Sequence, residues 1–201
     1  MRQIFMIALL FSQLFSSSTE EITINKQIFS VVKKSYDIYD SKGQYVKFYR
    51  VEKDEKTTSV LRLTLNDATG NCASRSLQDG AYEINGNTIT LYTLWNRRGK
   101  AYLEPYGAKI QKYEVQSNGM LKELSSYVYI EETRKKHDDG NGMEYLFNAP
   151  KNEQEEDKLK EYITEVEEKY HGKFLFGDER KKLIKEVKKA LKRKIKLQWK
   201  H

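Results

Sequence analysis

The sequence predicts an α+β protein: an antiparallel β-meander of about seven to nine strands, barrel- or sandwich-like, followed by a C-terminal helical hairpin. Three observations carry this. Period-two alternation dominates from Ile28 to Phe147, with turn residues at short intervals. Two Asn-Gly pairs, Asn85-Gly86 and Asn118-Gly119, each lie between alternating runs. After Pro150 the apolar spacing lengthens to that of an amphipathic helix.

The first element is not part of that fold. The start, MRQIFMIALLFSQLFSSSTEE, has a single basic Arg2, an apolar run from Ile4 to Phe11, and small polar residues before Thr19. This order is that of a secretory signal peptide, with Ser16 and Ser18 placing cleavage between Ser18 and Thr19. The run is too short for a membrane-spanning helix, which needs about 20 apolar residues. Residues 1–18 are therefore expected to be removed, leaving 183 residues in the periplasm or outside the cell. Residues 19–149 are expected to form the β domain and 150–201 a two-helix appendage. Cys72 is the sole cysteine, so no intramolecular disulfide can form. Its alternatives are a small buried core residue, a reactive thiol or a link between two chains.

Within the meander, Leu61, Leu63 and Leu65 alternate with Arg62 and Thr64, which reads as a half-buried strand. Ser41-Lys42-Gly43 and Pro105-Tyr106-Gly107 read as breaks between strands. The two Asn-Gly pairs read as type I′ turns, whose central residues both need positive φ. The strand from Met120 to Glu131 is expected to turn Leu124, Val128 and Ile130 inward and Tyr127 and Tyr129 outward. Ile110 and Tyr113 differ by three, and this slip of parity near Gln111 and Lys112 predicts a β-bulge.

Asn152 and Glu155 form a capping box for an acidic helix over 153–171, ended at Gly172, with Leu159, Tyr162, Ile163, Val166 and Tyr170 on one face. Asp178 is placed to cap a basic helix over 178–198 carrying Leu183, Ile184, Val187, Leu191 and Ile195. The charge is unevenly spread between these helices and the body. From Asp178 to His201 there are 11 Lys and Arg against 3 acids, a local +8 out of the chain's +7, so the remaining residues sum to −1. From Lys151 to His171, 8 acids face 4 Lys.

Nucleophilic catalysis has little to draw on. The three histidines, His137, His171 and His201, stand in no recognisable motif, and Gly-x-Ser-x-Gly, P-loop and HExxH patterns are absent. His137-Asp138-Asp139-Gly140-Asn141-Gly142 gathers oxygen ligands but lacks the spacing of a calcium loop, and reads as a solvated turn. No catalytic residue, metal site or cofactor is assigned.

Two groups of residues are candidates for binding. Trp95 ends the run TITLYTLW on the same side as Ile89, Leu91 and Thr93. It reads either as core packing at a strand end or, with Arg97, Arg98 and Tyr102, as the mouth of a site for an anionic or aromatic ligand. Lys185, Lys188, Lys192 and Lys196 form a stripe opposite the apolar face of the basic helix, which is either a solvated face or a surface for anionic lipid, lipopolysaccharide or nucleic acid.

The stretch from Gly80 to Ile130, with GAYEINGNTITLY and KYEVQSNGMLKELSSYVYIE, resembles the β-meanders of small exported bacterial lipocalin-like proteins and of uncharacterised secreted proteins of Gram-negative bacteria. The resemblance covers about a quarter of the chain, and the Gly-x-Trp of true lipocalins is missing: Thr93 stands two residues before Trp95 and Leu197 two before Trp199. It transfers no functional residue. The readings in hand are an exported binding or scaffold module of the cell envelope, a surface-interaction protein that uses the basic helix, and an unrecognised hydrolase.

Overall fold

The computed structural model describes residues 17–38, 41–52, 57–69, 76–98, 103–131 and 152–198. Eight strands follow one another in a single antiparallel meander: β1 (Ser17–Ile24), β2 (Gln27–Ile38), β3 (Ser41–Val51), β4 (Thr57–Thr69), β5 (Ser76–Asn85), β6 (Thr88–Arg98), β7 (Leu103–Val115) and β8 (Leu121–Ile130). Helix α1 (Glu153–Tyr170), the two-residue strand β9 (Lys173–Phe174) and helix α2 (Gly177–Gln198) complete it, with β9 parallel to β8. The α+β meander with a C-terminal helix pair is thus what the chain forms. The sheet stays open, with β1 and β9 at its edges, and does not close into a barrel. The expected cleavage point falls inside β1, and Thr19 to Ile24 beyond it are paired with β2.

The nine-stranded sheet turns a corner between β4 and β5, where the ladder runs only from Asn66–Asp79 to Thr69–Ser76 and strands from either side of it pack into one core. Gly80 lies at this corner. A Cβ there would stand 2.0 Å from the carbonyl oxygen of Thr64, so only glycine lets β4 cross β5 so closely. Past the corner, β1–β4 lie over one face of β5–β8. Phe29, Val31, Val46, Phe48 and Leu63 from the first half share a core with Ile89, Leu91 and Val115 from the second. Phe48 meets Tyr82 edge-on, with ring centroids 5.1 Å apart. The free ends of the two halves are tied by side chains: Asn25 Nδ2 donates to the carbonyl of Val115 at 2.7 Å, and Gln27 Nε2 to that of Ser117 at 2.7 Å.

The helices clasp the β8 edge from both sides. Cross-strand pairing puts Leu94, Ala108 and Tyr129 in one row and Trp95, Gly107 and Ile130 in the next, on opposite faces. Arg180 of α2 stands over the Tyr129 ring at 5.2 Å, whereas Tyr170 of α1 packs on Trp95 with centroids 5.4 Å apart. Leu183, Val187 and Ala190 of α2 are buried with Tyr92, Leu94 and Ile110, while Tyr162 and Val166 of α1 are buried with Val128, Ile130 and Phe174. Residues 152–198 therefore share a core with β5–β8. Strand β6 is consequently covered on both faces, and Ile89, Leu91, Tyr92, Thr93, Leu94 and Asn96 are all buried.

Several local expectations change in detail. Among the described residues the non-glycine positive φ values belong to Asn25, Lys26 and His171. The hairpin with two central residues at positive φ is thus Asn25-Lys26, between β1 and β2. At the predicted sites, Gly86 (φ 59°) and Gly119 (φ 77°) supply the left-handed residue, while Asn85 and Asn118 do not. Around Gly119, Gln116 donates to Met120 and Gly119 to Gln116, the pattern of a three-residue loop closed by a bulge. Ser41–Gly43 and Pro105–Gly107 are in strands rather than turns. Pro105 is tolerated because the register skips at Trp95/Asn96, so the missing N–H falls at a bulge.

The bulge expected near Gln111 and Lys112 is present between Lys112 and Tyr113. It makes Leu124 the unmatched residue on β8, and Leu124 is 46% exposed rather than inward. Tyr129, expected outward, is 1% exposed because α2 covers that face. Both helices lie within a residue or so of their expected bounds. Asn152 Oδ1 accepts from the Glu155 N–H at 2.9 Å, and His171, at φ 49°, is the left-handed cap before Gly172. Asp178 falls inside the first turn of α2, 3.0 Å from Lys181. Cys72, His201 and the stretch from His137 to Gly142 lie outside the described residues.

Candidate functional site

The tip of β6 is built for packing. The Trp95 indole donates through Nε1 to Gln78 Oε1 at 3.2 Å, meets Tyr170 on one side, and rests on Gly107, where a Cβ would come within 2.9 Å of the ring. Arg97 lies 3.4 Å from Glu131. That carboxylate also accepts from the Tyr129 hydroxyl, and Arg180 donates to the same hydroxyl at 3.0 Å. Burial, and then Glu131, hold the Tyr129 hydroxyl in its protonated form well above the usual phenol range. Arg97 therefore belongs to a network joining β6, β8 and α2. Arg98 ends β6, and Tyr102 lies outside the described residues.

The basic residues of α2 divide into two sets. One turns to the sheet: Arg193 pairs with Glu83 at 2.7 Å, and Lys194 Nζ donates to the carbonyl of Gly80 at 2.8 Å. Lys194 is pushed down to about 8 by burial and by the charge of Lys33, with Asp79 opposing. Asp79 is itself raised by burial, which outweighs Lys194 and a 3.2 Å hydrogen bond from Asn96. The second set faces solvent. Lys185, Lys188 and Lys192 are exposed, and with Lys181, Lys189 and Ile184 they line an open groove of about 560 Å³. Among the described residues no ion pair neutralises Lys185, Lys188, Lys189 or Lys192. Lys196 lies in the last turns of the helix. Lys185, Lys188 and Lys192 are left on the solvent side because the apolar face of α2 is committed to the sheet.

A second groove, of about 540 Å³, opens between α2 and the outer strands on the face carrying Tyr92 and Ile110. Lys112, Tyr127 and Lys173 form its sheet wall, and Glu179, Lys182 and Glu186 its helix wall. Pairing explains the sheet wall: Ile110, Tyr127 and Lys173 make one row across β7, β8 and β9, and Lys112 and Ser125 the next. Glu179, Lys182 and Glu186 are spaced i, i+3, i+7, which places them on one side of α2. Sequence reasoning missed this groove. The helical spacing was readable, but the strand that would face it depended on the placement of β9 and on the bulge at Lys112.

Among the described residues no group of three or more His, Cys, Asp or Glu gathers as a metal site, and no described helix is long and apolar enough to cross a membrane. Comparison with protein-family models, with curated proteins and with solved structures finds no match.

Proposed function

We propose that the chain is an exported, non-enzymatic binding module of the bacterial cell envelope that holds an anionic lipid surface with the solvent face of α2. Export is supported by the order of the first residues, from Arg2 through Ile4–Phe11 to Ser18. The observation that carries the binding role is the division of the α2 cations. Arg180 and Arg193 are used within the fold, while Lys185, Lys188 and Lys192 are exposed and have no ion-pair partner among the described residues.

Ile184 on the floor of the lysine groove favours lipid over nucleic acid. Lysine stems around an apolar residue can lie along acyl chains while the ammonium groups stay among headgroups. Each lysine near an anionic surface contributes about 1 kcal/mol, so the attachment is weak, reversible and sensitive to salt.

The test uses the mature chain with Lys185→Gln, Lys188→Gln and Lys192→Gln together, which leaves the apolar face of α2 intact. Retention on vesicles containing an anionic phospholipid should fall to the level of neutral vesicles. Unchanged retention would contradict the reading, and a loss confined to a nucleic-acid oligomer would transfer the surface to that partner.

A further inference from the structure

We infer that the groove between α2 and the β7–β9 edge binds a zwitterionic small molecule with an apolar body, of the class of short peptides with free ends. The inference is independent of the lipid surface, because the two sites use different flanks of α2: Lys185, Lys188 and Lys192 on one, Glu179, Lys182 and Glu186 on the other.

The walls of the groove differ in charge. Lys112 and Lys173 put two cations on the sheet side, flanking Tyr127, while the helix side presents Glu179 and Glu186 with Lys182 between them. Opposite charges that can reach one another across a gap normally pair. The side chains of Lys112, Lys173, Glu179 and Glu186 are all exposed at the groove, and among the described residues no ion pair or hydrogen bond joins either lysine to either acid. A molecule carrying both a carboxylate and an ammonium group complements both walls at once, its carboxylate toward Lys112 and Lys173 and its ammonium toward Glu179 and Glu186. A simple anion would satisfy the lysines and be repelled by the acids.

The floor and size narrow the class. Tyr92, Ile110 and Leu183 are buried in the groove lining, Leu175 is half-buried, and Tyr127 is 39% exposed. This offers apolar and aromatic contact between the two charged walls. A volume of about 540 Å³ lies in the range of pockets for drug-sized ligands, which suits two or three amino-acid residues. Glu186 is close enough to the floor for its charge to help hold the Tyr92 hydroxyl protonated, at about 12, after burial and Glu83.

The probe is the dipeptide Leu-Phe, titrated calorimetrically into the full chain beside its N-acetyl and C-amide forms. Free Leu-Phe should bind, and blocking either end should weaken it by about fivefold, the scale of a partly exposed ion pair. Lys112→Ala with Lys173→Ala should weaken the free dipeptide but not the amide. Glu179→Gln with Glu186→Gln should remove the discrimination against the acetylated form. The triple glutamine variant of the α2 stripe should bind Leu-Phe as the parent does. Absence of binding with Leu-Phe in large excess would overturn the inference, as would equal affinity for free and blocked dipeptides or indifference to both double variants.

Discussion

The hydroxyl of Tyr162 donates to the backbone carbonyl of Ile130 at 2.6 Å, inside the core and across 32 residues of sequence. It fastens α1 to the end of β8, where the sheet gives that carbonyl no next strand. Removing the donor leaves a buried acceptor unsatisfied, so Tyr162→Phe should cost about 1 to 3 kcal/mol, read from the urea midpoint. At the exposed start of the same helix, Asn152→Ala should cost only about 1 kcal/mol through the lost cap.

Two glycines should behave in opposite ways. Gly86 has φ 59° with open space around it, so Gly86→Ala carries only the left-handed penalty of about 1 to 2 kcal/mol. Gly80→Ala instead drives a methyl into the Thr64 backbone, at a cost of about 3 kcal/mol or more, because backbone cannot give way as a side chain can. Circular dichroism melts of the two variants would rank them.

The difference between what the sequence shows and what it hides can be traced to particular residues. Alternation at Leu61, Leu63 and Leu65, the Asn152 side-chain cap on the Glu155 N–H and the parity slip at Ile110–Tyr113 are local, and each is found in the fold. The two-sided burial of β6 is not local. Tyr92, Leu94 and Tyr129 are covered by a helix some 50 to 100 residues away in sequence, and strand periodicity cannot register a partner that arrives from there. Trp95 could be given a side from parity, but the Tyr170 that fills that side could not be foreseen. The lysine stripe was legible because it depends on one helix alone. The Lys112–Lys173 wall was not, because it depends on β9.

Stability should rise and then fall with alkaline pH. Lys194 has its pKa lowered from 10.5 to about 8, so between these values the unfolded chain holds a proton that the folded chain has released, and stability increases with pH. Allowing for its partial exposure, the gain is about 1 to 2 kcal/mol. Tyr92 and Tyr113 are raised from 10.0 to about 12, chiefly by burial, so their contribution is complete below pH 10 and is lost between pH 10 and 12. Urea titrations from pH 7.5 to 11.5 should therefore peak near pH 10, and Lys194→Met should flatten the rise while Tyr92→Phe softens the fall.

The apolar face of α2 cannot be removed to test its charged face. Leu183 and Val187 lie on Tyr92, Leu94 and Ile110, and Leu183→Ala should cost about 2 to 5 kcal/mol by leaving a cavity against the sheet. Deleting residues 178–201 would strip the core of β5–β8, and such a truncated chain should bind dyes specific for exposed apolar surface. Substitution of the solvent-facing lysines is the usable variant.

If those lysines attach the protein to anionic lipid, as proposed, the mature chain should sediment with anionic vesicles and be released as salt is raised. Three exposed lysines at about 1 kcal/mol each give attachment that should be evident at low ionic strength and gone at several hundred millimolar salt, roughly where the Debye length falls below 5 Å. Vesicles of neutral phospholipid should retain nothing at any salt concentration. Equal retention on neutral and anionic vesicles, or no retention on anionic vesicles at low salt, would contradict the account.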